Sequence, residues 1–135
     1  MVLELLAREP AVPVGRIVLL GSPSTSSLAA EQLVRSRSGR VLAGRALPEW
    51  RAERGVEVAR RVETGAIAGT ARFGVASLVV TLPRPNDGAV TVTETQLPGL
   101  RDHLVLHVTH SGLLLSARVA RQVCAFLTHG RFTRA

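Results

Sequence analysis

Residues 85–116 read PNDGAVTVTETQLPGLRDHLVLHVTHSGLLLS, and two of them, Asp87 and His110, organise the reading of the chain. Asp87 sits in an Asn-Asp-Gly turn. His110 follows 23 positions later, where the apolar, strand-like run Leu104 to Val108 gives way to Ser111-Gly112 and a helical pattern. An acid in a turn, then a histidine just past the next strand, is the later part of an acid–base arrangement in the order Ser…Asp…His. The serine of that order has no counterpart in its usual setting, because Gly-x-Ser-x-Gly occurs nowhere in the 135 residues.

Working outward, two further runs resemble Leu104 to Val108. Arg16 to Leu20, RIVLL, lies between Gly15 and Gly21, and Ala66 to Gly69 lies inside TGAIAGT. Short continuous apolar runs of this kind suit strands buried on both faces of a parallel sheet. The small residues of the second run imply close packing against helices. Helical patterns separate them: Met1 to Ala7, closed by Pro10 and Pro13; short helices over Leu28 to Val34 and Val41 to Leu47; and Leu113 to Leu127, with Leu115, Val119, Val123 and Phe126 on one face. Val90 and Val92 alternate with Thr91, Thr93 and Glu94, which predicts an extended segment exposed on one side. Trp50 reads as a packing anchor or lid residue, and Ala71 to Leu82 as an apolar connection whose periodicity does not separate helix from strand.

Strands alternating with helices predict an α/β fold with a parallel sheet, in one domain over 1–135 with a lid-like or cap-like helical insertion at 24–62. In open parallel sheets the site lies where the strands end, since the loops there converge. The loop after Leu20, the connection after Gly69 and His110 all fall on that edge.

Composition narrows the function classes. The 17 basic residues are all arginine and the net charge is +7, but the arginines are scattered and there is no tyrosine for base stacking, so nucleic-acid binding is not expected. No apolar run is long enough to span a bilayer, and no basic segment followed by an apolar core marks the chain for export, so a cytoplasmic location is expected. The single Cys124 falls on the apolar side of the last helical pattern and reads as core. His103 and His107 precede His110 without a ligand spacing, so no metal and no cofactor is expected.

Three segments together resemble the C-terminal half of an α/β-hydrolase of the bacterial lipase and esterase kind. VGRIVLLGSP (Val14 to Pro23) resembles the strand and loop after the nucleophile helix; PNDGAVTVTET (Pro85 to Thr95) resembles the acid loop; HLVLHVTHSGLLLS (His103 to Ser116) resembles the strand, catalytic histidine and final helix. The resemblance implies that Asp87 is the triad acid and His110 the general base toward a serine hydroxyl. It also implies that Met1 to Ala7, which has no N-cap, is the tail of the helix after the elbow, with the serine a few residues before Met1. The Ser22 to Ser27 cluster follows the wrong strand to supply it.

From this reading the chain alone is expected to be inactive, because losing the nucleophile costs about a million-fold in turnover. An ester or lipid substrate is expected only on complementation by the missing N-terminal half, and an unpaired strand edge invites that half, a second copy or aggregation. The alternative is a non-enzymatic remnant or interaction module that pairs through the same edge.

Overall fold

β1 (Arg16–Leu20) lies in the chain between two helices, α1 (Val2–Arg8) before it and α2 (Ala52–Arg61) after it, and its neighbour in the sheet is β2 (Glu63–Gly69). The computed structural model describes residues 2–24, 52–72 and 82–134. A 3₁₀ turn at Thr93–Thr95 precedes β3 (Asp102–Leu106), and two helices close the chain, α3 (Gly112–Leu115) and α4 (Ala117–His129). The three strands form one sheet in the order β1-β2-β3, parallel throughout, with Leu20 opposite Ile67 and Ile67 opposite Leu104. The α/β class with parallel strands and crossover helices is therefore the observed one.

Strand alternation sends successive side chains to opposite faces, and each face has its own core. Ile17 joins Leu3, Leu6, Val58, Ala59 and Leu97 on the side of α1 and α2. Ile67 joins Leu106, Leu113, Val119, Phe126 and Phe132 on the side of α3 and α4, with Val18 and Leu20 packed against them. Glycine in the middle of β2 has a specific cause: a Cβ on Gly65 would stand 2.6 Å from the Phe126 ring. The aromatic ring needs that close approach, and Phe126 and Phe132 rest together with centroids 4.9 Å apart.

Several sequence expectations need correction. β2 begins at Glu63, three residues before the expected run, because the fully buried Thr64 and Gly65 continue the ladder with β1. β3 is shifted two residues earlier than Leu104–Val108, and Val105 within it is exposed. The Val90 to Glu94 alternation is not an exposed extended strand: Val90, Thr91, Glu94 and Thr95 are buried, and only an isolated bridge pairs Asn86 with Thr91.

The last helical pattern is two helices, because Ser116 takes an extended conformation (ψ 120°) and caps α4 by accepting from the Val119 N–H. Leu115 consequently lies on α3 and is 85% exposed rather than lining the core face. Cys124 is also exposed, about 140–160° round α4 from the inward-facing Val119 and Phe126. His129 is the last residue of α4. Gly130 closes α4 in the left-handed region (φ 71°), and beyond it the Phe132 N–H donates to Asp102 at 2.8 Å.

The expected helices over Leu28 to Val34 and Val41 to Leu47, Trp50, and residues 73–81 of the apolar connection lie outside the described residues, as does most of the 24–62 insertion. Among the described residues, no helix is long and apolar enough to cross a membrane.

Candidate functional site

Three chain segments arrive at the carboxyl edge of the sheet. β1 ends into Gly21, whose N–H donates to the Ile67 carbonyl at 2.9 Å; β2 ends into Thr70, whose N–H donates to the Leu106 carbonyl at 3.0 Å; β3 ends into the 107–110 stretch that carries His110. Because the strands are parallel, these three exits share one side.

Asp87 is brought there by a turn built on its own and its neighbour's side chains. Asn86, itself buried, donates from Nδ2 to the Pro83 carbonyl at 2.8 Å and accepts from the Gly88 N–H at 3.0 Å. Asp87 Oδ1 accepts from the N–H groups of Ala89 (3.0 Å) and Val90 (2.8 Å), an Asx-type arrangement that fixes the carboxylate's orientation. The second oxygen, Oδ2, stands 2.9 Å from His110 Nδ1. The backbone repeats the link, since the His110 N–H donates to the Asp87 carbonyl at 3.0 Å. Thus Asp87 and His110, the two site residues expected from the sequence, are held together at both side chain and main chain.

The electrostatics follow from this geometry. Burial alone pushes the Asp87 carboxyl up, but the His110 hydrogen bond and the Val90 and Ala89 N–H groups outweigh it, so its pKa is lowered. For His110 the hydrogen bond to Asp87 is the largest influence and raises the pKa, against the opposing effect of burial. An ionised carboxylate only accepts, so Nδ1 carries the hydrogen of this bond and Nε2 of the neutral ring is the acceptor. The Asp87 side chain is 1% exposed while that of His110 is 46% exposed, so the acid is enclosed and the imidazole reaches the surface. Such a pair can take a proton at Nε2 and hold the resulting charge.

Other residues of the site are not picked out by the sequence reading. Thr91 and Glu94 form a reciprocal capping box: Glu94 Oε2 accepts from the Thr91 N–H at 2.8 Å, and Thr91 Oγ1 accepts from the Glu94 N–H at 3.2 Å. The Thr-x-x-Glu spacing is the signal that could have found it. His103 Nε2 lies 2.9 Å from Thr95 Oγ1, which itself donates to the Val92 carbonyl, so the ring nitrogen is the donor. This bond ties the acid loop to β3. Ser24 donates to the Glu94 carbonyl at 2.7 Å and is buried, acting as a brace from the β1 loop; no sequence pattern announces it. Thr25, Ser26 and Ser27 fall outside the described residues. No group of three or more metal-ligating side chains occurs among the described residues.

No protein-family model matches the chain, and no curated protein does. Among solved structures it is similar to the Bacillus licheniformis lipase BlEst2. Against the mature form the TM-score is 0.65 with 18% identity, covering 96% of this chain and 60% of that one. Against the propeptide form the TM-score is 0.67 with 18% identity, covering 98% of this chain and 33% of that one. The chain thus spans less than two thirds of the lipase, and what the two share is the fold: a partial α/β-hydrolase fold of parallel strands with helices on both faces.

Proposed function

We propose that this chain supplies the acid and the base of a serine ester hydrolase of the lipase and esterase kind, Asp87 orienting His110 and His110 drawing the proton from a serine hydroxyl. The observation that carries the reading is the Asp87 Oδ2 to His110 Nδ1 hydrogen bond of 2.9 Å at the carboxyl edge of a parallel sheet. The fold likeness to a lipase supports it.

In this reading Nε2 of His110 accepts the serine proton as the oxygen attacks the ester carbonyl, and the imidazolium is stabilised by the Asp87 carboxylate. The same proton then passes to the departing alcohol. Water repeats the sequence on the acyl-serine and releases the acid. The serine must come from sequence beyond these 135 residues, since they hold no Gly-x-Ser-x-Gly elbow. Acyl esters, as small molecules or lipids, are the substrate class, and no cofactor or metal takes part.

The test is hydrolysis of a short-chain p-nitrophenyl ester by four samples: the 135-residue chain, the same chain joined to an upstream-encoded strand–Gly-x-Ser-x-Gly–helix segment, and each of these two carrying His110→Ala. Turnover is expected only in the second. Turnover by the chain alone that His110→Ala removes would place a nucleophile within these residues, and an inactive but folded joined form would end the reading.

A further inference from the structure

We infer that Gly21 and Gly69 are positioning residues for the Asp87–His110 pair, their missing side chains leaving the space in which carboxylate and imidazole are pressed together. This rests on the proposed function and deepens it. A Cβ on Gly21 would lie 3.0 Å from Asp87 Oδ2 and 3.1 Å from His110 Nδ1, so it would touch both ends of the same hydrogen bond. Its nearest neighbour would be Leu113 Cδ1 at 2.6 Å. A Cβ on Gly69, at the end of the adjoining strand, would meet Asp87 Cβ at 2.7 Å and the Val108 carbonyl at 2.5 Å. Two neighbouring strands thus leave the same space open from two directions.

The atoms they approach have little freedom to retreat. Asp87 is held through both oxygens and its carbonyl, and the Val108 carbonyl accepts from the Ala71 N–H at 3.1 Å. A methyl group at Gly69 therefore displaces the carboxylate from the ring instead of moving a free chain end, and one at Gly21 does so in addition to pushing back Leu113 Cδ1. Gly15, at the opposite end of β1, offers the contrast: a Cβ there meets nothing within 4 Å. Glycine at Gly15 is thus not demanded by crowding, whereas at Gly21 and Gly69 it is demanded by the pair.

The experiment needs no nucleophile. The His110 ring is titrated by NMR, with its Nδ1 proton resonance followed, in the unaltered chain and in Asp87→Asn, Gly21→Ala, Gly21→Asn, Gly69→Ala and Gly15→Ala. Asp87→Asn is expected to lower the His110 pKa and remove the downfield proton; if it does neither, the pair itself is refuted. Given that effect, Gly21→Asn and Gly69→Ala are expected to reproduce at least about half of it, and Gly15→Ala none. Asn is included at 21 because φ is +50° there, which asparagine tolerates better than alanine.

Unchanged His110 titration in folded Gly21 and Gly69 variants overturns the inference while leaving the pair intact. So does recovery of the normal titration when Leu113→Ala is added to Gly21→Ala, since the effect would then run through Leu113. Loss of fold in both Gly21→Asn and Gly69→Ala also overturns it, by assigning the glycines to the fold and not to the pair.

Discussion

The two ends of the sheet each gather charged groups, and they do so in opposite ways. At the amino ends, Glu63 of β2 pairs with Arg16 of β1 at 2.6 Å and with Arg101, just before β3, at 3.1 Å. Arg16 also donates to the Leu127 and Thr128 carbonyls, which complements the negative end of α4. A shallow cavity of about 420 Å³ opens there, lined by Arg16, Arg61, Glu63 and Leu127 among others. Size does not make it the site, since its one carboxylate, Glu63, is shared between partly exposed arginines and no acid–base pair lines it. At the carboxyl ends the buried Asp87 is paired with one histidine and leaves that histidine half exposed. Charges in water can re-pair freely, while a buried charge keeps one geometry. Only the second arrangement stores a directed proton acceptor.

The sharpest way to break this contrast is to remove the buried acid. In an active joined form, Asp87→Asn is expected to lower kcat by about 10⁴-fold, because the amide reverses the hydrogen-bond sense at Nδ1. Steady-state hydrolysis of a p-nitrophenyl ester measures it. A loss under about tenfold would put the two ends of the sheet on an equal footing.

Between the ends lies the support that both share. Phe126→Ala removes a fully buried ring set against Gly65 and is expected to destabilise the chain by about 3–5 kcal/mol, read from urea unfolding midpoints. Ring titration of His110 in the folded remainder then shows whether the carboxyl end depends on this core.

A pH series separates the two ends on the alkaline side, through His110. Asp87 is held below its ordinary 3.8, so its contribution to stability is present above that value and is lost as pH falls through the folded pKa. His110 is raised above 6.5, so its contribution is full below that value and is lost as pH rises through the folded pKa. The pair therefore supports the fold most between about 3.8 and 6.5. Glu63 and Asp102 are lowered too and share the acid side, and His103, lowered by burial, favours stability as pH rises toward 6.5. Subtracting an Asp87→Asn series from the unaltered chain isolates the pair, and a flat difference from about pH 4 to about pH 9 would contradict it.

The smallest change is expected at the amino ends. Arg16→Ala should shift the thermal midpoint only slightly, and raising the salt concentration in the unaltered chain should erase most of that difference. A large, salt-insensitive loss would mean that the amino-end cluster is as tightly built as the buried pair.

Asp87 and His110 are legible in the sequence because each announces itself locally. Asn-Asp-Gly is turn chemistry, and a histidine where an apolar run meets Ser-Gly marks a strand exit. The β1 boundaries are legible for the same reason, with glycines punctuating a continuous apolar run. Val90 to Glu94 misleads because alternation is a strand signal only when a neighbour pairs with it. Here Thr91 and Glu94 close a capping box on each other instead. The break at Ser116 is hidden in a helical period that runs on across it; the cap makes it, and caps depend on one side chain's choice of partner.

The sequence by itself determined the α/β class, the acid, the histidine and their order, since local turn chemistry and apolar periodicity write these into neighbouring residues. Only the tertiary structure decided that the acid is buried while the imidazole emerges. It alone decided that Ser24 and His103 brace the loop and that the glycines ending β1 and β2 face the pair. These depend on contacts between segments 70 residues apart and more, such as Ser24 with Glu94, and no local pattern carries such contacts.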